Sequence, residues 1–306
     1  MSEHINRRQF LGRSASTALA LGLGGAGAAG SLETAVVDAA PRRQEQANRP
    51  KKSVMFSMLP GNLSLEARFQ LAKEVGFEGV EAGPVGEEKE ALAMRAAAEK
   101  AGIPIHSVIY GGWENPLSSA DPAVVERGLE STRAALQSAK WMGADDILLV
   151  PGVVTAQTRY KDAYARSQKN IRTLIPTAEK LGVMILIEEV WNKFLLSPLE
   201  FARYIDEFRH PLVQAYFDVG NVVIYGYPED WIRTLGKRIQ KVHLKDFKRS
   251  TYQFVNLREG DVDWPEVRRA FAEVGFTGFM NTELGGGDEA YLRDVSARVD
   301  KILAGV

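Results

Sequence analysis

The chain has 306 residues, 45% hydrophobic and 25% charged, and its 38 Lys and Arg against 39 Asp and Glu leave a net charge of −1. That composition excludes a disordered, collagen-like or coiled-coil chain and leaves no basic field to hold nucleic acid. With no cysteine and only His4, His106, His210 and His243, disulfide scaffolds, thiolate metal sites and cysteine nucleophiles are excluded, and imidazole clusters nearly so.

Near the start, Arg7 and Arg8 precede a short Gly/Ala-rich apolar run, Ala18–Gly25. The run falls well short of the ~20 residues that cross a bilayer, and the pattern resembles a twin-arginine (Tat) export signal. Small-x-small cleavage sites end at Ala28 and Ala39. Residues 1–39 are therefore expected to be a signal peptide, 40–51 a linker without apolar periodicity, and 52–306 one folded domain. The resemblance implies an exported, periplasmic or extracytoplasmic protein that crosses already folded, often with a metal or cofactor loaded. It also implies no stable membrane span after signal removal, and a substrate other than a phosphorylated sugar.

From Lys52 onward, short apolar runs alternate with helical patterns. Strands are expected at Ser53–Met58, Gly79–Ala82, Ile103–Val108, Asp146–Val150, Met184–Glu189, Val213–Asp218, Ile239–His243 and Gly278–Glu283. Helices are expected between them at Leu63–Val75, Glu87–Ala101, Pro122–Met142, Tyr160–Leu181, Pro198–Phe208, Pro228–Gly236 and Trp264–Val274, and at Gly287–Ala304 after the last. Pro198, Pro228 and Pro265 sit at helix starts, where proline costs nothing. Eight such repeats match an α/β (β/α)8 TIM barrel, a single domain with an all-parallel sheet. The dinucleotide-binding open sheet is disfavoured because no Gly-x-Gly-x-x-Gly follows the first strand. Gly285-Gly286-Gly287 reads as a turn into the final helix.

In a barrel the chemistry sits at the C-terminal ends of the strands. Those ends carry His106, Glu188-Glu189, Asp218, His243 and Glu283. Carboxylates and an imidazole converging from four successive strands demand a cation, since like charges at close range would otherwise force protonation. An oxygen-rich set with one nitrogen suits Mn²⁺, Mg²⁺ or Co²⁺, with Zn²⁺ admissible, and leaves room for two substrate oxygens. Glu188 and Glu189 point to opposite faces of their strand, so at most one enters the barrel. Each residue also has a plainer reading, as a helix cap, a lysine partner or a satisfied core histidine.

The segments Glu189-Val190-Trp191-Asn192-Lys193-Phe194, Phe217-Asp218-Val219-Gly220-Asn221, Val242-His243-Leu244-Lys245-Asp246, Gly260-Asp261-Val262-Asp263-Trp264 and Asn281-Thr282-Glu283 resemble the sugar phosphate isomerase/epimerase family of the xylose isomerase-like TIM-barrel superfamily. The resemblance spans roughly Lys52–Val306. It implies metal ligands at Glu189, Asp218, His243 and Glu283, with Glu189 and Glu283 as the catalytic acid/base pair on opposite sides of the substrate. Lys193 stands where the ketose 3-epimerases have Arg, Asn221 where a His is usual, and Arg249, beside Lys248, matches a family arginine. Endonuclease IV is disfavoured, because its zinc cluster uses histidines that this chain lacks.

The implied reaction is a divalent-metal-dependent isomerisation or epimerisation of a non-phosphorylated sugar or keto-sugar through an enediolate. The same enolate could expel a β-hydroxyl, so a hydratase, dehydratase or lyase acting on 3-keto-sugars, keto-glycosides or inosose-like substrates is the alternative. A non-catalytic sugar-binding barrel is a third reading. His106, Tyr110 and Trp113 are candidate sugar contacts, with packing as their plainer role, and Trp191 with Phe194 a candidate apolar wall. The segment Leu244–Gly260 is expected to be a long loop able to close over the site. The expected partner is a small carbohydrate, with no nucleic acid; family members are often dimers or tetramers, so the resemblance admits a homo-oligomer.

Overall fold

The computed structural model describes residues 49–306, so the export-signal reading and most of the linker lie outside the described residues. Eight parallel strands close into a barrel: β1 (Lys51–Met55), β2 (Gly79–Ala82), β3 (Ile105–Gly111), β4 (Asp146–Leu149), β5 (Met184–Glu188), β6 (Val213–Asp218), β7 (Ile239–Leu244) and β10 (Phe279–Thr282). β10 pairs with both β7 and β1, which seals the cylinder. Around it run α1 (Leu65–Glu74), α2 (Glu88–Ala101), α3 (Pro122–Met142), α4 (Tyr160–Arg172), α5 (Ile175–Leu181), α6 (Pro198–Asp206), α7 (Pro228–Leu235), α8 (Trp264–Glu273) and α9 (Glu289–Ala304). The expected α/β (β/α)8 barrel is the fold observed. Strand β1 starts two residues ahead of the expected Ser53, and the last three residues of the expected strand, Phe56–Met58, form a 3-10 turn instead.

Local chemistry sets the helix ends. Ser64, Asp121, Ser197, Asp263 and Asp288 each accept a hydrogen bond from a first-turn backbone N–H, which satisfies a donor that the helix leaves unpaired. Gly143 closes α3 with φ +78°, a left-handed conformation that glycine adopts without a Cβ penalty.

Two expected elements differ. The single helix Tyr160–Leu181 is two, broken after Arg172. Pro176 has no N–H to donate to the Arg172 carbonyl, and its ring would crowd that carbonyl. The loop Leu244–Gly260 holds an antiparallel hairpin, β8 (Asp246–Lys248) with β9 (Gln253–Val255).

The barrel is filled rather than hollow. Leu148, Leu186 and Tyr216, with Ile109 and Met184 against them, form a small apolar cluster separate from the main core between strands and helices. Alternation along each strand then fixes what lies above and below it. On β5 the run Met184, Leu186, Glu188 shares one face; on β6, Gln214, Tyr216, Asp218; on β7, Lys241 and His243, with Lys245 just beyond the strand end. Below the plug, Lys241 Nζ lies 3.3 Å from Asp146 Oδ2 and donates to the His106 carbonyl at 3.1 Å, while Ser107 Oγ donates to Asp146 Oδ1 at 2.6 Å.

Candidate metal centre

Above the plug, Glu188, Asp218, His243 and Glu283 offer ligand atoms that all lie within 4.8 Å of one another. Opposed ligands about 2.1 Å from one octahedral ion would stand roughly 4.2 Å apart, so the spread suits one cation. Glu188 Oε1 and Glu283 Oε2 both lie 2.8 Å from His243 Nδ1, and Asp218 Oδ2 lies 3.9 Å from it. Asp218 is held from one side only. Its Oδ1 accepts the backbone N–H groups of Gly220 (2.7 Å) and Asn221 (2.8 Å), which leaves Oδ2 facing the cluster.

Asp218 Oδ2 and Glu283 Oε2 are buried without a well-aligned hydrogen bond, although Lys245 Nζ lies 3.1 and 2.7 Å from them. Three carboxylates packed around one imidazole and one ammonium make the oxygen-rich set that a divalent cation takes. The residues present therefore fit a divalent cation.

The imidazole is oriented from behind. His243 Nε2 lies 2.8 Å from Glu81 Oε2, which also accepts from Asn281 Nδ2 at 2.7 Å. A carboxylate accepting from Nε2–H leaves Nδ1 as the lone-pair atom toward the cluster, the usual support for a metal-binding histidine. Sequence reasoning missed Glu81. Its signal was a lone carboxylate inside the apolar strand Gly79-Val80-Glu81-Ala82 with no helix to cap.

Glu189 stands elsewhere. Its Oε1 accepts the Asp218 backbone N–H at 2.8 Å, and its backbone carbonyl accepts from Asn221 Nδ2 at 3.0 Å. It braces the Asp218 turn, whereas Glu188 contributes to the four-residue group. The other residues expected at the site also divide. Asn221 is buried against Glu189 and Asp218. Trp191 donates from Nε1 to the Asn221 carbonyl at 3.0 Å and stacks on Phe254 at 4.9 Å, near Phe247 and Tyr252, so it does form an aromatic wall with the hairpin. Phe194 packs instead against Tyr160, Tyr164 and Tyr204.

His106 does not join the group. Because β3 begins at Ile105, His106 is its second residue, near the end opposite the rim, stacked 4.1 Å from the Phe279 ring and 2.9 Å from Ser53 Oγ. Tyr110 turns to Ser131 on α3. Trp113 is half exposed on the loop after β3, and Lys193 is exposed at φ +59°. Lys248 is exposed on β8. Arg249 ties the hairpin down by donating to the carbonyls of Val223 (3.0 Å) and Gly226 (2.9 Å). Asp246 organises the same hairpin. It accepts from the backbone of Phe247, Arg258 and Val262 and from Trp264 Nε1, and Gly260 packs so closely on it that a Cβ there would collide.

Burial and mutual charge perturb the whole group. Burial pushes Glu188 up to about 7 against the pull of His243. Burial, then Glu188 and Asp218, raises Glu189 well above its usual value. Burial alone would lower His243, but the facing Glu283, Glu81 and Glu188 outweigh it and hold the ring well above its usual value. Glu283 is held well below the carboxylate range, because His243 and Lys245 overcome its burial. A cation entering must displace the protons on Glu188 and His243. Mn²⁺ affinity is accordingly expected to fall about a hundredfold per pH unit below pH 7, where both protons are in place, and about tenfold per unit just above it, read by calorimetric titration at pH 6, 7 and 8.

A closed eight-stranded parallel barrel bearing this acidic and histidine group is the architecture of one protein class. The chain belongs to the xylose isomerase-like TIM barrel family, whose pattern matches residues 69–300. L-ribulose-5-phosphate 3-epimerase UlaE of Escherichia coli O1:K1 is 27% identical over 233 residues, which span 72% of this chain and 82% of that protein. A solved L-ribulose 3-epimerase superposes with a TM-score of 0.73 at 16% identity, covering 83% of this chain and 95% of its own. The E. coli 3-keto-D-glucoside 4-epimerase YcjR does so with a TM-score of 0.69 at 17% identity, covering 83% and 100%. Among the described residues, no helix is long and apolar enough to cross a membrane.

Proposed function

We propose that the protein is a divalent-metal-dependent epimerase or isomerase that moves a proton on a non-phosphorylated keto-sugar through an enediolate. The observation that carries this reading is the four-residue group itself: Glu188, Asp218, His243 and Glu283 offer ligand atoms within 4.8 Å of one another at the rim. The epimerase names of the relatives support it.

Glu188, Asp218, His243 and Glu283 would hold the ion. When bound, it polarises a carbonyl and the hydroxyl beside it and so acidifies the carbon between them. Glu188 arrives from β5 and Glu283 from just past β10, with β6 and β7 between those strands in the barrel. The two carboxylates thus come from strands three positions apart around the barrel, and the proposed roles set them against the two faces of the substrate carbon. One takes the proton and the other returns one to the opposite face, a step to which general acid–base help adds about 10²–10⁴-fold. Sequence resemblance put the first role at Glu189; the placement of side chains supports Glu188.

The neutral character of the substrate is supported by a 480 Å³ cavity beside the group, lined among others by Met55, Phe254, Asn256, Leu284 and Tyr291. Among the described residues, Lys245 is the only cation lining it, and Asp218 and Glu283 already engage it. The Arg7-Arg8 signal supports an extracytoplasmic setting, in which such neutral sugars are found.

The test is incubation of Mn²⁺-reconstituted protein with ketoses and 3-keto-glucosides in D₂O. Deuterium at the carbon next to the carbonyl, followed by nuclear magnetic resonance, is the expected result. An ultraviolet-absorbing unsaturated product would shift the assignment to the hydratase/lyase reading, and neither outcome with any substrate would overturn both.

A further inference from the structure

Lys241, His243 and Lys245 leave the chain on one face, because successive extended residues alternate. Lys241 lies on the barrel floor and His243 in the candidate metal centre. Lys245 is therefore the next group up, between that centre and the mouth. Its side chain is 15% exposed, and its Nζ lies 2.7 Å from Glu283 Oε2 and 3.1 Å from Asp218 Oδ2. It shares the wall of the 480 Å³ cavity with Glu283 and Phe254. The chain makes a seat for it. Gly220 packs on the Lys245 backbone so closely that a Cβ there would stand 2.5 Å from Lys245 Cβ, and any side chain at 220 would push the lysine out.

Charge points the same way. The three carboxylates of the group carry one negative charge more than a divalent cation supplies, and Lys245 provides the balance in the resting site. When a substrate carbon loses its proton to Glu188 or Glu283, new negative charge grows on the substrate oxygens. Lys245 is the charged donor on the cavity wall. A donor held in place beforehand, where water is scarce, stabilises such charge far better than one in bulk water.

We propose that Lys245 is a catalytic residue whose ammonium donates a hydrogen bond to the substrate oxygen on which enediolate charge accumulates. The proton on that ammonium stays in place through the step; the proton removed from carbon resides on a glutamate. The inference rests on the enediolate reading above, and the competing view is that Lys245 only neutralises the acidic group so that it folds and binds metal.

The experiment compares wild type, Lys245→Met and Lys245→Arg as full-length Mn²⁺-reconstituted protein. Calorimetry measures Mn²⁺ affinity, binding of erythritol, and binding of a four-carbon aldonohydroxamate, whose N–O group imitates an enediolate. Lys245→Met is expected to bind Mn²⁺ at least as tightly as wild type, to bind erythritol within threefold, and to lose about a hundredfold in hydroxamate affinity. Lys245→Arg should recover at least tenfold of that loss. With a turned-over substrate, kcat should fall about 10²–10³-fold and KM by no more than a fewfold. Hydroxamate affinity that falls no more than erythritol affinity would overturn the catalytic role, as would loss of Mn²⁺ binding in Lys245→Met. A wild type that does not prefer the hydroxamate over erythritol would instead sink the enediolate reading itself.

Discussion

Replacing Glu188 by glutamine is expected to weaken Mn²⁺ binding at least a hundredfold, whereas Glu189→Gln should change it no more than about threefold. The difference comes from one residue of register. Glu188 follows Leu186 and Met184 on the face of β5 that fills the barrel, and its Oε1 lies 2.8 Å from His243 Nδ1. Glutamine keeps the shape but removes an anionic ligand from a site where a hard cation needs it. Glu189 accepts the Asp218 N–H through one oxygen. A glutamine carbonyl accepts the same bond, and burial already disfavours the charged form of Glu189. Calorimetric Mn²⁺ titration at pH 8 of both variants, dialysed free of metal, decides between the two positions. Equal losses would mean that the cation sits between the glutamates, and a loss confined to Glu189→Gln would restore the resemblance-based assignment.

Lys241→Met is expected to cost about 3–5 kcal/mol of folding stability at pH 8, the range for breaking a buried ion pair from one side. Lys241 Nζ serves Asp146 Oδ2 and the His106 carbonyl beneath the plug and lies 5.1 Å from the centre of the Phe279 ring. Asp146 is fully buried. Burial already raises it to about 6, while Lys241 and Ser107 hold it down. Methionine fills the stem but strands the carboxylate. Because the folded-state value lies above the unfolded one, folding binds a proton, and stability falls as pH rises from about 4 through 6. The variant should therefore recover part of its loss at pH 5, and Lys241→Met/Asp146→Asn should recover most of it at pH 8. Urea unfolding at the two pH values measures both effects. A single variant within 1 kcal/mol of wild type would show that the pair contributes nothing.

The fold was readable because each strand is a short apolar run and most helix starts carry their own cap or proline, signals that act within a few residues. Asp218, His243 and Glu283 were readable as a set: each alone has a plain use, but polar residues ending successive strands of one barrel meet at one rim. The choice between Glu188 and Glu189 was not, since both end the same strand and only the pleat decides which enters. A local motif fixed the wider region but not the face. His106 misled because the apolar residue Ile103 precedes the strand rather than opening it, which moves His106 from the rim to the floor. Glu81 and the Lys241–Asp146 floor depend on contacts across 162 and about 95 residues of chain, beyond the reach of any local pattern.

The two carboxylates that face the candidate centre differ in their access to water: the Glu188 side chain is 6% exposed and that of Glu283 25%. The apolar plug closes the underside, so solvent reaches either group only through the mouth. With the proton-transfer roles proposed above, a hydrogen taken by Glu188 would be sheltered and would tend to go back to the molecule it left, while one taken by Glu283 would soon be traded with the surroundings. Isotopic memory would then depend on direction: the stereoisomer deprotonated by Glu188 would keep its label longer than its epimer at the same carbon.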